Sequence, residues 1–125
     1  MNNNKRLKCE ALWVICNVIT QANCFDLIDL VQFYELDLLN AICSNLLKID
    51  ANETNLLHEM LDAIVRLINL DKQYKSNQNR AGYKSIISMI EVCEGFDLLG
   101  ELQHHTDMEI YDKSQKICEE YIQYE

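Results

Sequence analysis

Three side chains near the start of the chain have the types and spacing to act together. Glu10, Trp13 and Asn17 stand three and four residues apart, so on a helix they project from one face. That face suits an extended basic peptide. The Trp13 indole offers a flat apolar wall for a lysine or arginine stem, with a cation–π attraction of roughly 0.5–2 kcal/mol. Asn17 carries a donor and an acceptor, so it can hold a backbone amide whatever side chain that residue bears. Glu10 selects for positive charge, worth about 0.2–1 kcal/mol on an exposed surface. The competing reading is a tryptophan that belongs to the core of an apolar helix.

A second cluster lies toward the other end. Glu91, Glu94, Asp97, Glu101, Asp107, Glu109, Asp112, Glu119 and Glu120 face only Lys113 and Lys116 over the same stretch. This is either a solvated acidic cap or a docking surface. The run Lys5-Arg6-Leu7-Lys8 has the K-[KR]-x-[KR] form of a localisation signal, a short and common pattern. His104 and His105 lack a Cys or carboxylate at ligand spacing, so no metal is expected. There is no glycine-rich phosphate loop or G-x-S-x-G elbow, and no cysteine or serine has an identifiable partner. The expectation is a protein that is not an enzyme and takes no cofactor.

The elements that position these residues are read as helices. Of 125 residues, 49% are hydrophobic and 25% charged; there is no proline and there are three glycines, too few turn residues for a β-rich chain. The net charge of −9 argues against nucleic acid as partner. The six cysteines form no C-x-x-C pair and sit mostly in apolar stretches, which reads as buried free thiols in a reducing compartment. Neither a signal peptide nor a membrane-spanning run is expected, so no membrane partner is either.

Apolar spacing predicts a helix over 8–20, a short one capped by Asn23, and a third through Leu47. A polar break at 48–53 precedes a long helix over 54–70. A loop over 71–83 contains Gly82. A fifth helix is expected to run to about Cys93 with Gly95 as its terminating glycine, and a sixth covers 96–103. Thr106 and Glu109 form a T-x-x-E capping box that opens a seventh, ending near Tyr121. The order matches three-helix units of about 40–47 residues, the armadillo period. The whole chain, 1–125, is then one armadillo region: 8–20 closes one repeat, 23–70 is the second, and 84–122 is the last.

Particular residues sharpen this. Glu10-Ala-Leu-Trp13-Val-Ile-Cys-Asn17 carries the E-x-x-W-x-x-x-N pattern of the third helix of importin-alpha repeats. Met89-Ile-Glu-Val-Cys-Glu-Gly95-Phe-Asp97 resembles the family's LIEEAGGLD segment. Leu102-Gln-His-His105 through Glu109-Ile-Tyr111-Asp-Lys113 resembles its LQNHEN-x-x-IYxKA segment. The chain therefore resembles the C-terminal armadillo repeats of importin alpha (karyopherin alpha), from the end of the eighth repeat through the ninth and tenth. The resemblance covers about residues 8–122.

It implies an all-α armadillo superhelix, a solenoid of about two and a third repeats, acting as a nuclear import adapter in cytoplasm and nucleus. Glu10, Trp13 and Asn17 would form part of the minor site for nuclear localisation signals. Glu91, Glu94, Asp97 and Tyr111 would contact the recycling exportin with Ran-GTP, and a nucleoporin would dock nearby. Glu59, Asp62 and Arg66 take the corresponding places in the next unit without a tryptophan, and Arg66 is expected to repel a basic ligand and end the groove. The alternative is a truncated armadillo scaffold or cap that has lost cargo binding and self-associates through its exposed first helix. Leu12, Ile15, Val18 and Ile19 are expected to need a cover from a further repeat or a partner.

Overall fold

The computed structural model describes residues 2–50, 53–76 and 83–124. Among them the chain is entirely helical: α1 (Asn2–Gln21), α2 (Cys24–Tyr34), α3 (Leu36–Cys43), α4 (Thr54–Ser76), α5 (Ile86–Val92), α6 (Gly95–Leu102) and α7 (Met108–Tyr124). Two short helices followed by a long one occur twice, as α2–α4 and as α5–α7, with α1 ahead of them.

The long helices run in the same direction, which cross-helix partners establish. Lys5, near the start of α1, pairs with Asp50 just ahead of α4, and Arg66, midway along α4, bonds carbonyls at the end of α1. Asp62 pairs with Lys113, and further along both helices Lys72 pairs with Glu120. The Arg66 partners lie 44 to 47 residues away, and the α4–α7 partners 48 to 51 away. Antiparallel neighbours joined by short loops would give no constant offset. A unit that repeats gives one.

The helix α4 lies between α1 and α7 and also touches α5. Its pattern follows from that position. Leu56, Met60, Leu61, Ile64, Leu67 and Ile68 are all sealed, whereas Asn55, Asp62 and Asn69 form one narrow exposed stripe at seven-residue spacing. A helix covered on one side only would show a wide polar face.

Local chemistry sets the helix ends. The Asn23 side chain accepts from the Asp26 amide at 2.9 Å and starts α2; Ser85 caps α5 through the Ser88 amide. Asp107, rather than the expected Thr106–Glu109 box, starts α7 by accepting from Glu109 and Ile110. A carboxylate one residue closer to the helix satisfies the same orphan amides and favours the positive end of the helix dipole. Both short-helix corners place a glutamate at positive φ, Glu35 at 52° and Glu94 at 61°.

Three further expectations are corrected. The loop over 71–83 begins six residues late, because α4 continues to Ser76; residues 77–82, Gly82 among them, lie outside the described part. Gly95 does not end the fifth helix but begins α6. A Cβ there would sit 2.6 Å from Ile90 Cγ2 and 2.9 Å from Cys43 Sγ, so glycine permits α3, α5 and α6 to meet closely. Leu12 and Ile19 need no outside cover, being 3% and 0% exposed, while Val18 at 44% and the half-buried Ile15 do lie at the surface.

Candidate peptide-binding surface

The helix α1 turns its apolar side, Leu12, Cys16 and Ile19, into the core along α4. Glu10, Trp13 and Asn17 lie on a different side. The Glu10 side chain is 60% exposed, Asn17 is exposed, and Trp13 is half-buried with part of its ring against the core. The indole is therefore anchored and still presents surface, as a wall for an alkyl stem requires.

A shallow groove of about 550 Å³ opens beside the indole, lined by Lys5, Arg6, Cys9, Glu10, Trp13, Asp50 and Glu53. Asp50 and Glu53 were not legible as site residues. They come from the connection ahead of α4, which reads in sequence only as a polar break. Three carboxylates thus converge near the tryptophan, with two cations among them. Lys5 pairs with Asp50, and Arg6 donates from Nε to Glu10 at 3.2 Å. The Asp50 hydrogen bond holds the Lys5 ammonium above its ordinary pKa. A basic ligand entering here meets Asp50 and Glu10 already answered by the chain's own Lys5 and Arg6, with Glu53 beside them. Asn17 stands outside the groove lining, one turn further along α1.

The corresponding residues of α4 behave differently from the sequence expectation. Arg66 does not face a ligand. Its guanidinium donates to the carbonyls of Thr20 at 2.9 Å and Ala22 at 2.8 Å. The last carbonyls of a helix lack partners and carry partial negative charge, so a planar cation with several donors satisfies both. Arg66 is a C-terminal clamp on α1. Asp62 is held by Lys113 at 3.0 Å, and one Glu59 carboxylate oxygen is sealed without a hydrogen-bond partner.

Asp71, expected in a loop, is the fully buried polar residue that joins the two units. Its carboxylate accepts from the Tyr83 and Ser85 hydroxyls and from the backbone amides of Ile86 at 3.0 Å and Ile87 at 3.1 Å. A buried carboxylate is tolerated when its lone pairs are so filled. Gln32 on α2 grips the same segment by donating to the Lys84 carbonyl and accepting from the Lys84 amide, at 2.8 and 2.9 Å.

At the other end, Glu91, Glu94 and Asp97 are exposed around the α5–α6 corner. Tyr111, in the first turn of α7, is half-buried, and none of the hydrogen bonds described links it to those acids. His105 accepts from the Asp107 amide and so serves the start of α7. Among the described residues no group of three His, Cys, Asp or Glu stands where it could hold a metal ion, and no helix is long and apolar enough to cross a membrane.

The family described as an atypical Arm repeat matches residues 84–125, the segment that holds α5, α6 and α7. No curated protein and no solved structure matches the chain.

Proposed function

We propose that this chain is a binding module of the nuclear import adapter type, an armadillo solenoid end that acts by holding other proteins and performs no catalysis. The carrying observation is the anchored, partly exposed Trp13 beside Glu10, Asp50 and Glu53 on the first of three parallel helices. An extended basic segment, such as a nuclear localisation signal, would lay a lysine stem on the indole and its backbone on Asn17. With one Trp–Asn pair and with Lys5 and Arg6 as internal competitors, affinity falls in the high-micromolar range, since such sites gain strength by repetition. On this reading the module works in cytoplasm and nucleus. The acidic corner Glu91, Glu94 and Asp97, with Tyr111, would receive the recycling exportin with Ran-GTP, or a nucleoporin.

The test is an NMR titration of the α1 backbone amides, with the Trp13 indole N–H as a second probe where it is present, using a lysine-rich peptide and its alanine-substituted control. Saturable shifts with the first peptide, weakened about fivefold or more by Trp13→Ala and by Asn17→Ala, are expected. Equal binding of both peptides, or sub-micromolar affinity, counts against the site. For the far end, charge reversal of Glu91 and Glu94 should reduce exportin recovery; equal recovery counts against that role. The existing Lys5–Asp50 and Arg6–Glu10 pairs favour a second reading, a scaffold or cap whose cargo site is already filled. Absence of any shift at millimolar peptide would select it.

A further inference from the structure

A different side of α1 carries apolar residues at helical seam spacing. Leu7, Ala11, Val14 and Val18 follow one another at intervals of four, three and four; Leu7 and Val14 are each 62% exposed. That is the a/d pattern of a helix with a partner along about 16 Å of its length. The carboxyl-terminal half of this stripe forms one wall of an apolar groove of about 340 Å³, with Val14, Ile15 and Val18 facing Leu30, Tyr34 and Leu38. Asp37 is the one charged residue in the lining. Leu7 and Ala11 extend the stripe beyond the groove, and no cover for them exists in the chain's own described fold.

We infer that the groove receives the α1 helix of a second copy, laid antiparallel, in a two-fold dimer. In that direction the stripe meets its own copy and each groove gains an apolar side chain. With the two-fold axis between positions 11 and 14, Leu7 of each copy sits over Val18 of the other and Ala11 over Val14, so each amino-terminal half fills the other's groove. Charge selects the same arrangement. The described span of α1 carries Lys5, Arg6 and Lys8 against Glu10 alone, whereas α2 and α3 carry Asp26, Asp29 and Asp37 and no cation. Antiparallel pairing brings the basic end of one copy toward the acidic helices of the other and offsets the repulsion of two chains of net charge −9. A parallel pair would set the basic ends together and leave the carboxyl-terminal grooves without Leu7. Glu10 and Asn17 flank this seam, whereas Trp13 lies further round α1, so Trp13→Ala separates peptide binding from the dimer.

Sedimentation equilibrium of the full chain under reducing conditions tests this. Wild type is expected to dimerise with a Kd of about 10–100 µM. Leu7→Lys and Val18→Lys, both at exposed positions, should each raise that Kd about tenfold or more at unchanged helical content, because the two residues meet across the axis. Val92→Lys, at an exposed site on α5, is the control and should leave it unchanged. A wild-type monomer at several hundred micromolar overturns the proposal. So does an open series of higher oligomers. A dimer broken by Val18→Lys but indifferent to Leu7→Lys overturns it too, since some other segment would then occupy the groove. Trp13→Ala reads the peptide site alone and should leave the dimer intact.

Discussion

Asp71 illustrates how one residue can join two units. Its carboxylate fills the first amides of α5 and two hydroxyls from an interior position on α4. Asp71→Ala would leave those donors unpaired, at a cost of roughly 3 kcal/mol, because bonds to a charged acceptor are worth about 1.5–3 kcal/mol each and some donors regain water. The check is the urea midpoint, and a change below about 0.5 kcal/mol would contradict the role. Nothing about Asp71 was legible in advance. An aspartate after an apolar helix reads as the start of a loop, and only its distant partners explain its burial. The thiols were legible in part: Cys16 and Cys43 are buried as expected, whereas Cys9, Cys24, Cys93 and Cys118 are only half-buried. Burial pushes Cys16 and Cys43 up from 9.0 to about 12. Between those values the unfolded chain releases these protons and the folded chain keeps them. Stability therefore falls as pH rises from about 9 to 12, by up to about 1.4 kcal/mol per pH unit for each thiol. Urea unfolding at pH 8, 9 and 10 under reducing conditions should show Cys16→Ala losing stability more slowly with pH than wild type. Parallel pH profiles would refute this.

At the scale of elements, the alternation of short and long helices was readable from apolar spacing, since a 3.6-residue period is a local property of the chain. The ends were less so. Two adjacent residues can each cap a helix, and the winner depends on what the cap faces, as Asp107 shows over Thr106. Gly95 has a similar lesson. In sequence a glycine after a helix reads as a left-handed terminator, yet Glu94 adopts that conformation and Gly95 admits close packing of α3, α5 and α6. Gly95→Ala is expected to cost about 1–3 kcal/mol through overpacking. Gly100→Ala, with nothing within 4 Å of the added carbon, should stabilise α6 by roughly 0.5–1 kcal/mol. Denaturant midpoints of the two variants should therefore move in opposite directions.

For the whole molecule, the decisive arrangement is three parallel long helices at a nearly constant sequence offset. It turns the polar sides of α1, α4 and α7 into neighbouring surfaces, joined by the Lys5–Asp50, Asp62–Lys113 and Lys72–Glu120 pairs. Such surfaces answer to salt. Raising ionic strength from about 0.05 to 0.5 M shortens the screening length severalfold and should weaken association of a basic peptide with the Trp13 groove by about fivefold or more. Affinity independent of salt in the same titration would assign the shifts to apolar contact alone.

Local order was determined by the sequence alone: helices from periodicity, glutamate, tryptophan and asparagine on one face from their spacing, and acidity from composition. Those properties need no knowledge of what lies across the core. What the tertiary structure alone decided is which neighbours each residue meets. Asp50 and Glu53 join Trp13, Arg66 turns from ligand-repelling charge into a clamp on α1, and Leu12 and Ile19 face inward while Val14 and Val18 stay open. Each outcome depends on contacts dozens of residues apart. Spacing along one helix defines directions relative to its own axis, and only packing against the other helices decides which direction is solvent.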